Sequence, residues 1–279
     1  MKQYVIKSIK DVDIRLLMFP VFLLGLTFFT GSYLILRRIL YRFLAKKLEA
    51  GVICDIAEKC ISSLQAILAT SAGIAIATNC KDIMNDSYWV TDMYAMFALP
   101  YFYYDTWAGY QTYIHNSPHL KDKDLTHKVK NYIRNRKIML SHHILLPTVL
   151  YPIVMFFRRG LGDFFIGAFF IFEFTVPFIA LRHILARLQL KTSPFYLLSG
   201  ILMTVTFTFA RVLIFPYLYW RYALYKSIPI WQVPFAIPMK CNLGCLFLFV
   251  FQVYWWTLMV RGVTKVIFRI IRFNKRKET

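Results

Sequence analysis

Seven runs of about twenty mostly apolar residues punctuate this chain, at 17–36, 60–80, 88–107, 138–157, 161–181, 195–220 and 239–260. A helix needs about 20 such residues to cross the hydrocarbon core of a bilayer. In hydrocarbon every backbone N–H and C=O must be satisfied internally, so only helices and closed barrels span it. A barrel would need segments of about ten residues alternating in polarity, and the sequence has none. The runs therefore predict an all-α polytopic membrane protein with seven spans. Composition agrees: 58% of the residues are hydrophobic and 17% charged, against about 45–50% and about 25% in soluble domains. A disordered chain, a soluble enzyme and a small disulfide scaffold are excluded. Five cysteines, an odd number spread along the chain, also argue against a disulfide framework.

The net charge is +20. In a soluble protein that would suggest nucleic acid. Here the basic residues lie between the apolar runs, where they act as topology signals. Of the 34 Lys and Arg, 23 fall in 37–59, 108–137, 182–194 and 261–279, against nine in the alternate connections. The basic side faces the cytosol by the positive-inside rule, so the N-terminus is expected in the lumen and the C-terminus in the cytosol. The first run precedes Arg37-Arg38 rather than a small-residue cleavage site and reads as a signal anchor. The second run is rich in Ala, Ser and Thr, which suits an interior helix packed closely by its neighbours. Runs four and five are joined only by Arg158-Arg159-Gly160, which predicts a tight antiparallel hairpin. The ending Lys275-Arg276-Lys277-Glu278-Thr279 resembles a dilysine retrieval signal of the endoplasmic reticulum and equally suits a basic tail facing anionic lipid. The expected organisation is an anchor and basic linker over 1–49, a helical domain over 50–265 and a basic tail over 266–279.

Ionisable groups in hydrocarbon are costly, so each is a functional candidate. Asp92 and Asp163 fall near lumenal span ends and are expected at the interface. Arg182 and His183 fall at the cytosolic end of run five, where an anchoring role is expected. Four places remain: Asp105, the pair His142-His143, Glu173 and Arg211. Asp105 and the histidines share a depth near the cytosolic side. A carboxylate beside an imidazole holds its tautomer and stabilises its charged form, and a neutral imidazole serves as base or as nucleophile toward an acyl group. The other reading is that the histidines only bridge helices. Glu173 and Arg211 are too deep to reach water easily and are expected either to pair or to line a polar cavity. His115, His119 and His127 lie in a loop interrupted by Pro118, so no metal site is expected there. Pro100, Pro147, Pro152, Pro177 and Pro216 lie in or beside spans and predict kinks that open space between helices.

Several short stretches occur in a familiar order: Tyr104-Asp105, Ser141-His142-His143-Ile144, Glu173 with Pro177 and Arg182, Phe209-Ala210-Arg211-Val212, and Gln252-Val253-Tyr254-Trp255-Trp256. On these residues the chain resembles the TLC-domain proteins, which include the ceramide synthases. Within that family it looks most like the TLC domain-containing protein 3 (family with sequence similarity 57) subgroup. The resemblance implies that the last six spans form a bundle around a lipid-accessible cavity in the endoplasmic reticulum membrane. It also implies N-acyl transfer from acyl-CoA to a sphingoid base. His142 and His143 would be catalytic, with Asp105, Glu173 and Arg211 supporting or lining the site. Lys128, Lys130, Arg134, Arg136 and Lys137 would meet the coenzyme A phosphates, or serve only as topology signals. Acyl-CoA would be a co-substrate, with no separate cofactor, metal or nucleic acid. The partners would be membrane lipids, long-chain acyl-CoA and a sphingoid base, and a homodimer is allowed. The alternative readings are a non-catalytic lipid-binding regulator of membrane composition and a cargo receptor or transporter.

The orientation is open to a direct check. A glycosylation acceptor on a spacer added before Met1 should be modified in cells, and the same tag after Thr279 should not. The reverse pattern would invert the topology.

Overall fold

The computed structural model describes residues 14–158 and 160–278, with side chains described from Leu17 to Val266, apart from position 159, and at Phe268. The N-terminal stretch expected in the lumen lies outside the described residues, and the side chains of the dilysine-like ending lie outside the described side chains. No strand occurs among the described residues; the polypeptide is a chain of helices. The long ones are α1 (Ile14–Leu44), α2 (Ala50–Asn79) and α3 (Val90–His115), followed by a short amphipathic α4 (Leu125–Asn135). Then come α5 (Lys137–Leu145), α6 (Asp163–Ile171), α7 (Val176–Arg187), α8 (Pro194–Phe207), α9 (Ile214–Lys226), the four-residue α10 (Val233–Ala236) and α11 (Met239–Glu278). α5 continues through two wide turns to Phe157, α6 and α7 form one span, and α8 and α9 another.

Six of these segments are long and apolar enough to cross a membrane. The seventh expected span is also a helix. α3 has 26 residues but lies outside those six because Tyr94, Tyr101, Tyr103, Tyr104, Tyr110 and Tyr113 dilute its hydropathy. It is held between α1 and α2.

α2 is the hub. It packs on α1, α3, α6 and α7, and half of its most apolar stretch is buried. Small residues make this geometry available. A Cβ on Gly73 would lie 2.5 Å from the Gly167 carbonyl oxygen, and one on Gly167 would lie 2.9 Å from Ile76. The two glycines therefore let α2 and α6 cross almost backbone to backbone, as small residues do between membrane helices. On the other side of α2, Phe29 and Tyr33 of α1 interlock with Tyr101 and Tyr104 of α3 around Ala57 and Ile61. Toward the opposite membrane face, Ile76 meets Phe164, Phe172, Phe215 and Leu218.

The helix distortions follow the prolines. A proline lacks the N–H that closes an α-turn and pushes its ring at the preceding turn. Around Pro147 and Pro152 the span 137–157 widens into two π-turns, Leu146–Leu150 and Ile153–Phe157. Ahead of Pro216 a third, Thr208–Val212, closes with the Leu213 N–H donating to the Thr208 carbonyl at 2.8 Å. Ahead of Pro177 the chain tightens into a 3₁₀ turn, Phe172–Thr175.

The hairpin between runs four and five differs from expectation. The chain does reverse at Arg158–Gly162, with Gly160 and Gly162 both at φ +71°. The two arms then pack on different partners: the span 137–157 on α3, and α6 on α2. Only 6% of the apolar stretch of 137–157 is buried, so one of its sides is open along the membrane. In the loop between α2 and α3, the Asn85 side chain donates to Asp82 at 2.9 Å and to the Tyr225 hydroxyl at 3.1 Å. Hydrogen bonds from Asn85, then from the Met84 N–H, hold the Asp82 carboxyl below its usual range.

Gly73→Val should lower the melting temperature of the detergent-solubilised protein, reflecting about 1–3 kcal/mol of overpacking. Gly31→Val should not, because a Cβ at Gly31 meets nothing within 4 Å. Equal melting of both variants would refute the close crossing.

Candidate functional site

Depth matching in the sequence brings Asp105 and His143 together. Their oxygen and nitrogen, Oδ2 and Nε2, lie 3.5 Å apart, with the Asp105 side chain 7% exposed and that of His143 10%. Asp105 is held from α2. The Tyr101 hydroxyl donates to Ser62 Oγ at 3.1 Å, and Ser62 Oγ lies 3.2 Å from Asp105 Oδ1. On the far side of the ring, His143 Nδ1 lies 3.3 Å from Thr106 Oγ1. The single Thr106 proton is already donated to the Phe102 carbonyl at 2.8 Å. Thr106 therefore accepts, and Nδ1 carries a proton. The Nε2 lone pair of a neutral ring would then repel an ionised Asp105. A proton on Nε2 or on the carboxyl would remove that repulsion. Both ring nitrogens of His143 thus face polar partners, and Phe102 meets its ring edge-on at 5.7 Å.

His142 is different. It is exposed, with its ring centroid 5.7 Å from that of His143.

Glu173 and Arg211 do pair, with Oε1 and Nη2 3.6 Å apart and side chains 33% and 15% exposed. Backbone geometry explains their placement. In the 3₁₀ turn before Pro177, the Val176 N–H bonds the Glu173 carbonyl instead of reaching back to Phe172. The Phe172 carbonyl, an acceptor within that turn, also accepts from Arg211 Nε at 2.8 Å. Arg211 itself sits in the π-turn Thr208–Val212, whose Thr208 hydroxyl accepts from Trp256 Nε1 at 2.8 Å. Two proline-linked distortions thus turn two deep charges toward each other.

The basic run sits on and just after α4. Lys130, Arg134, Arg136 and Lys137 are exposed and Lys128 is half-exposed. Asp124 caps α4 by accepting the His127 N–H at 3.0 Å, and the Tyr132 hydroxyl donates to the Thr106 carbonyl at 3.1 Å. That bond ties the basic helix to the residue that also holds His143.

Several polar residues escape the sequence reading. Asp55, Glu58 and Lys59 lie on the first turns of α2, which begins ten residues before the apolar run at 60. Lys59 Nζ lies 2.5 Å from Glu58 Oε1. Asp55 receives His183 Nε2 at 2.9 Å, and Arg187 Nε lies 2.8 Å away. His183 is therefore a partner of Asp55 rather than a free anchor. Arg182 lies 3.9 Å over the Tyr196 ring and donates to the Tyr196 carbonyl at 2.9 Å. The available signal was the unbroken helix-forming stretch 50–60, free of Pro and with its one Gly at 51. At the opposite end, Asp163 is fully buried rather than interfacial. It accepts from the Tyr88 N–H at 2.7 Å and the Thr91 hydroxyl at 2.8 Å, and Arg158 bridges it to Asp92.

This is a multi-pass helical membrane protein whose bundle holds a His–Asp pair, a deep Glu–Arg pair and an exposed histidine. Residues 55–261 match the TLC domain, most of the 279-residue chain, and the protein belongs to the TLC domain family. Membership points to a lipid-related membrane function. No solved structure matches the chain.

Arg158→Ala leaves a fully buried carboxylate unpaired. It should cost about 3–5 kcal/mol and lower the melting temperature markedly, while Arg134→Ala on the exposed face of α4 leaves it unchanged. An unshifted melting curve for Arg158→Ala would show that the bridge carries no stability.

Proposed function

We propose that the protein is a ceramide synthase-like N-acyltransferase of the endoplasmic reticulum membrane. It would move a long-chain acyl group from acyl-CoA to a sphingoid base, with the basic face in the cytosol. By its motifs it falls with the TLC domain-containing protein 3 subgroup. The observation that carries the reading is the unequal treatment of the two histidines. His143 has its two nitrogens facing Asp105 and Thr106, while His142 is exposed.

In this assignment His142 is the catalytic residue and His143 a positioning residue. A neutral His142 nitrogen attacks the thioester carbonyl, the C–S bond breaks, and the thiolate of coenzyme A leaves. The acceptor amine then attacks the acyl carbon, the C–N bond forms and the imidazole departs. The proton lost by the amine is the one the thiolate takes up, so the products are an amide and a free thiol. Arg211 would offset the oxyanion charge, with Glu173 holding its orientation. Lys128, Lys130, Arg134, Arg136 and Lys137 would hold the coenzyme phosphates at the membrane surface, within a few helical turns of His142. The open side of the span 137–157 gives acyl chains a lateral way in from the bilayer.

The test is product formation from labelled long-chain acyl-CoA and sphinganine by the purified protein. His142→Ala should lower kcat by about 10²–10⁴-fold. His143→Ala should lower it less, and Asp105→Asn should resemble His143→Ala. Well-folded wild type that makes no product at any chain length would move the function to a non-catalytic regulator of lipid composition. Equal losses from both histidine variants would overturn the division of roles.

A further inference from the structure

A cleft of about 510 Å³ opens at the basic end of the bundle, between α1, α2 and the end of α3. Its walls are Leu34, Arg37, Arg38, Tyr41, Cys54 and His115. That volume lies within the roughly 300–1,000 Å³ of small-molecule sites. We propose that this cleft binds the phosphate headgroup of an anionic membrane lipid, with a phosphate monoester as the best fit.

Three observations support the site. First, Arg37 and Arg38 have no carboxylate within ion-pair distance among the described residues. His183 and Arg187, at the same end of the bundle, each have one. Two unpaired guanidinium forks side by side match the charge and geometry of a dianionic phosphate. Second, Arg37 is braced from behind: Tyr33 is fully buried and the Arg37 guanidinium sits 5.5 Å from its ring centroid, a cation–π distance that holds one fork in place. Third, His115 Nδ1 is spent on the Gln111 carbonyl at 2.8 Å, which leaves its other ring nitrogen for a ligand.

The ligand carries a tail. α1 enters the membrane directly behind the cleft, and Leu34, Ile35 and Ile39 stand exposed at 42%, 63% and 47%. An acyl chain leaving the headgroup site has this apolar face to lie on. The site is also separate from the proposed chemistry. On α3, Tyr104 and His115 share the face toward α1, while Phe102 and Thr106 meet His143 from a face about 160° away. An acyl-CoA held in the cleft would have α3 between its thioester and the histidines. The proposal therefore stands whether or not the acyltransferase reading does.

The competing explanation is diffuse attraction of a basic helix end to any anionic surface. Native mass spectrometry of the full chain in detergent separates the two. The probes are phosphatidic acid, phosphatidylserine and phosphatidylcholine of matched chains, with inorganic phosphate and long-chain acyl-CoA as competitors. Arg37→Gln and Arg38→Gln should each weaken phosphatidic acid binding by about tenfold, the loss of one charge-assisted contact. Arg42→Gln, exposed on the same helix and outside the cleft, should change it less than about twofold by the same reckoning. Arg38 is exposed, so its variant keeps the fold even if the half-buried Arg37 proves structural. Neither competitor should displace the lipid at equal concentration. Displacement by inorganic phosphate or acyl-CoA would overturn the lipid assignment. Equal binding of both anionic lipids, with equal losses in all three variants, would reduce the cleft to diffuse attraction.

Discussion

The bundle depends on α2, and α2 depends on a condition that hydrocarbon imposes. A helix at the centre of a membrane protein can carry polar side chains only if partners wait on its neighbours. α2 meets this on several flanks. Asp55 takes His183 and Arg187 from α7, Ser62 bridges Tyr101 and Asp105 of α3, and Gln65 and Tyr94 bond across the same seam. The glycine and alanine face of the same helix brings α6 close enough for the crossing at Gly73 and Gly167. Polar contacts fix which residues face each other, and small residues fix how closely. Van der Waals contact then supplies most of the attraction, because lipid is as apolar as leucine.

Much of this was legible in the sequence, and the misses share a cause. Hydropathy found each long helix and the interior character of α2, because length and apolarity are set by the bilayer. Depth counting brought Asp105 to His143 and Glu173 to Arg211, because a rise of about 1.5 Å per residue converts position into height. It could not find Asp55, Glu58 or Lys59. An apolar window begins where charges end, and these charges belong to the helix but not to the window. Asp163 was misjudged for a related reason. Height says how deep a residue lies and nothing about which way it points, and Arg158 lay five residues away. The separation of the two arms after Arg158 was equally hidden. A short connection fixes where the chain turns, whereas packing partners fix where each arm goes.

The paired histidines show what neighbours add to spacing. On a helix they are about 100° apart, so they were bound to see different surroundings. Thr106 sets the difference. Its one proton goes to the Phe102 carbonyl, so it faces His143 Nδ1 as an acceptor, and that leaves Nε2 as the nitrogen turned to Asp105. A hydroxyl that makes an ordinary helical back-bond thereby governs the electrostatics of a buried pair. The deep ion pair follows a similar logic. Pro177 acts through the backbone: in the tightened turn before it, the Phe172 carbonyl also accepts Arg211 Nε from a neighbouring helix.

The span 137–157 leans mainly on α3 and leaves most of its surface uncovered. For molecules that live in the bilayer this decides the route of approach. Drawing an alkyl chain out of a membrane into water costs about 0.8 kcal/mol for each methylene, so a long chain that had to pass through the cytosol would be held back by a steep barrier. A bundle closed on every side would impose that detour. One whose histidine-bearing helix stands apart on its outer flank does not: a chain can slide sideways between helices, solvated by hydrocarbon at every step, with only its polar end needing to find the charged groups at the rim.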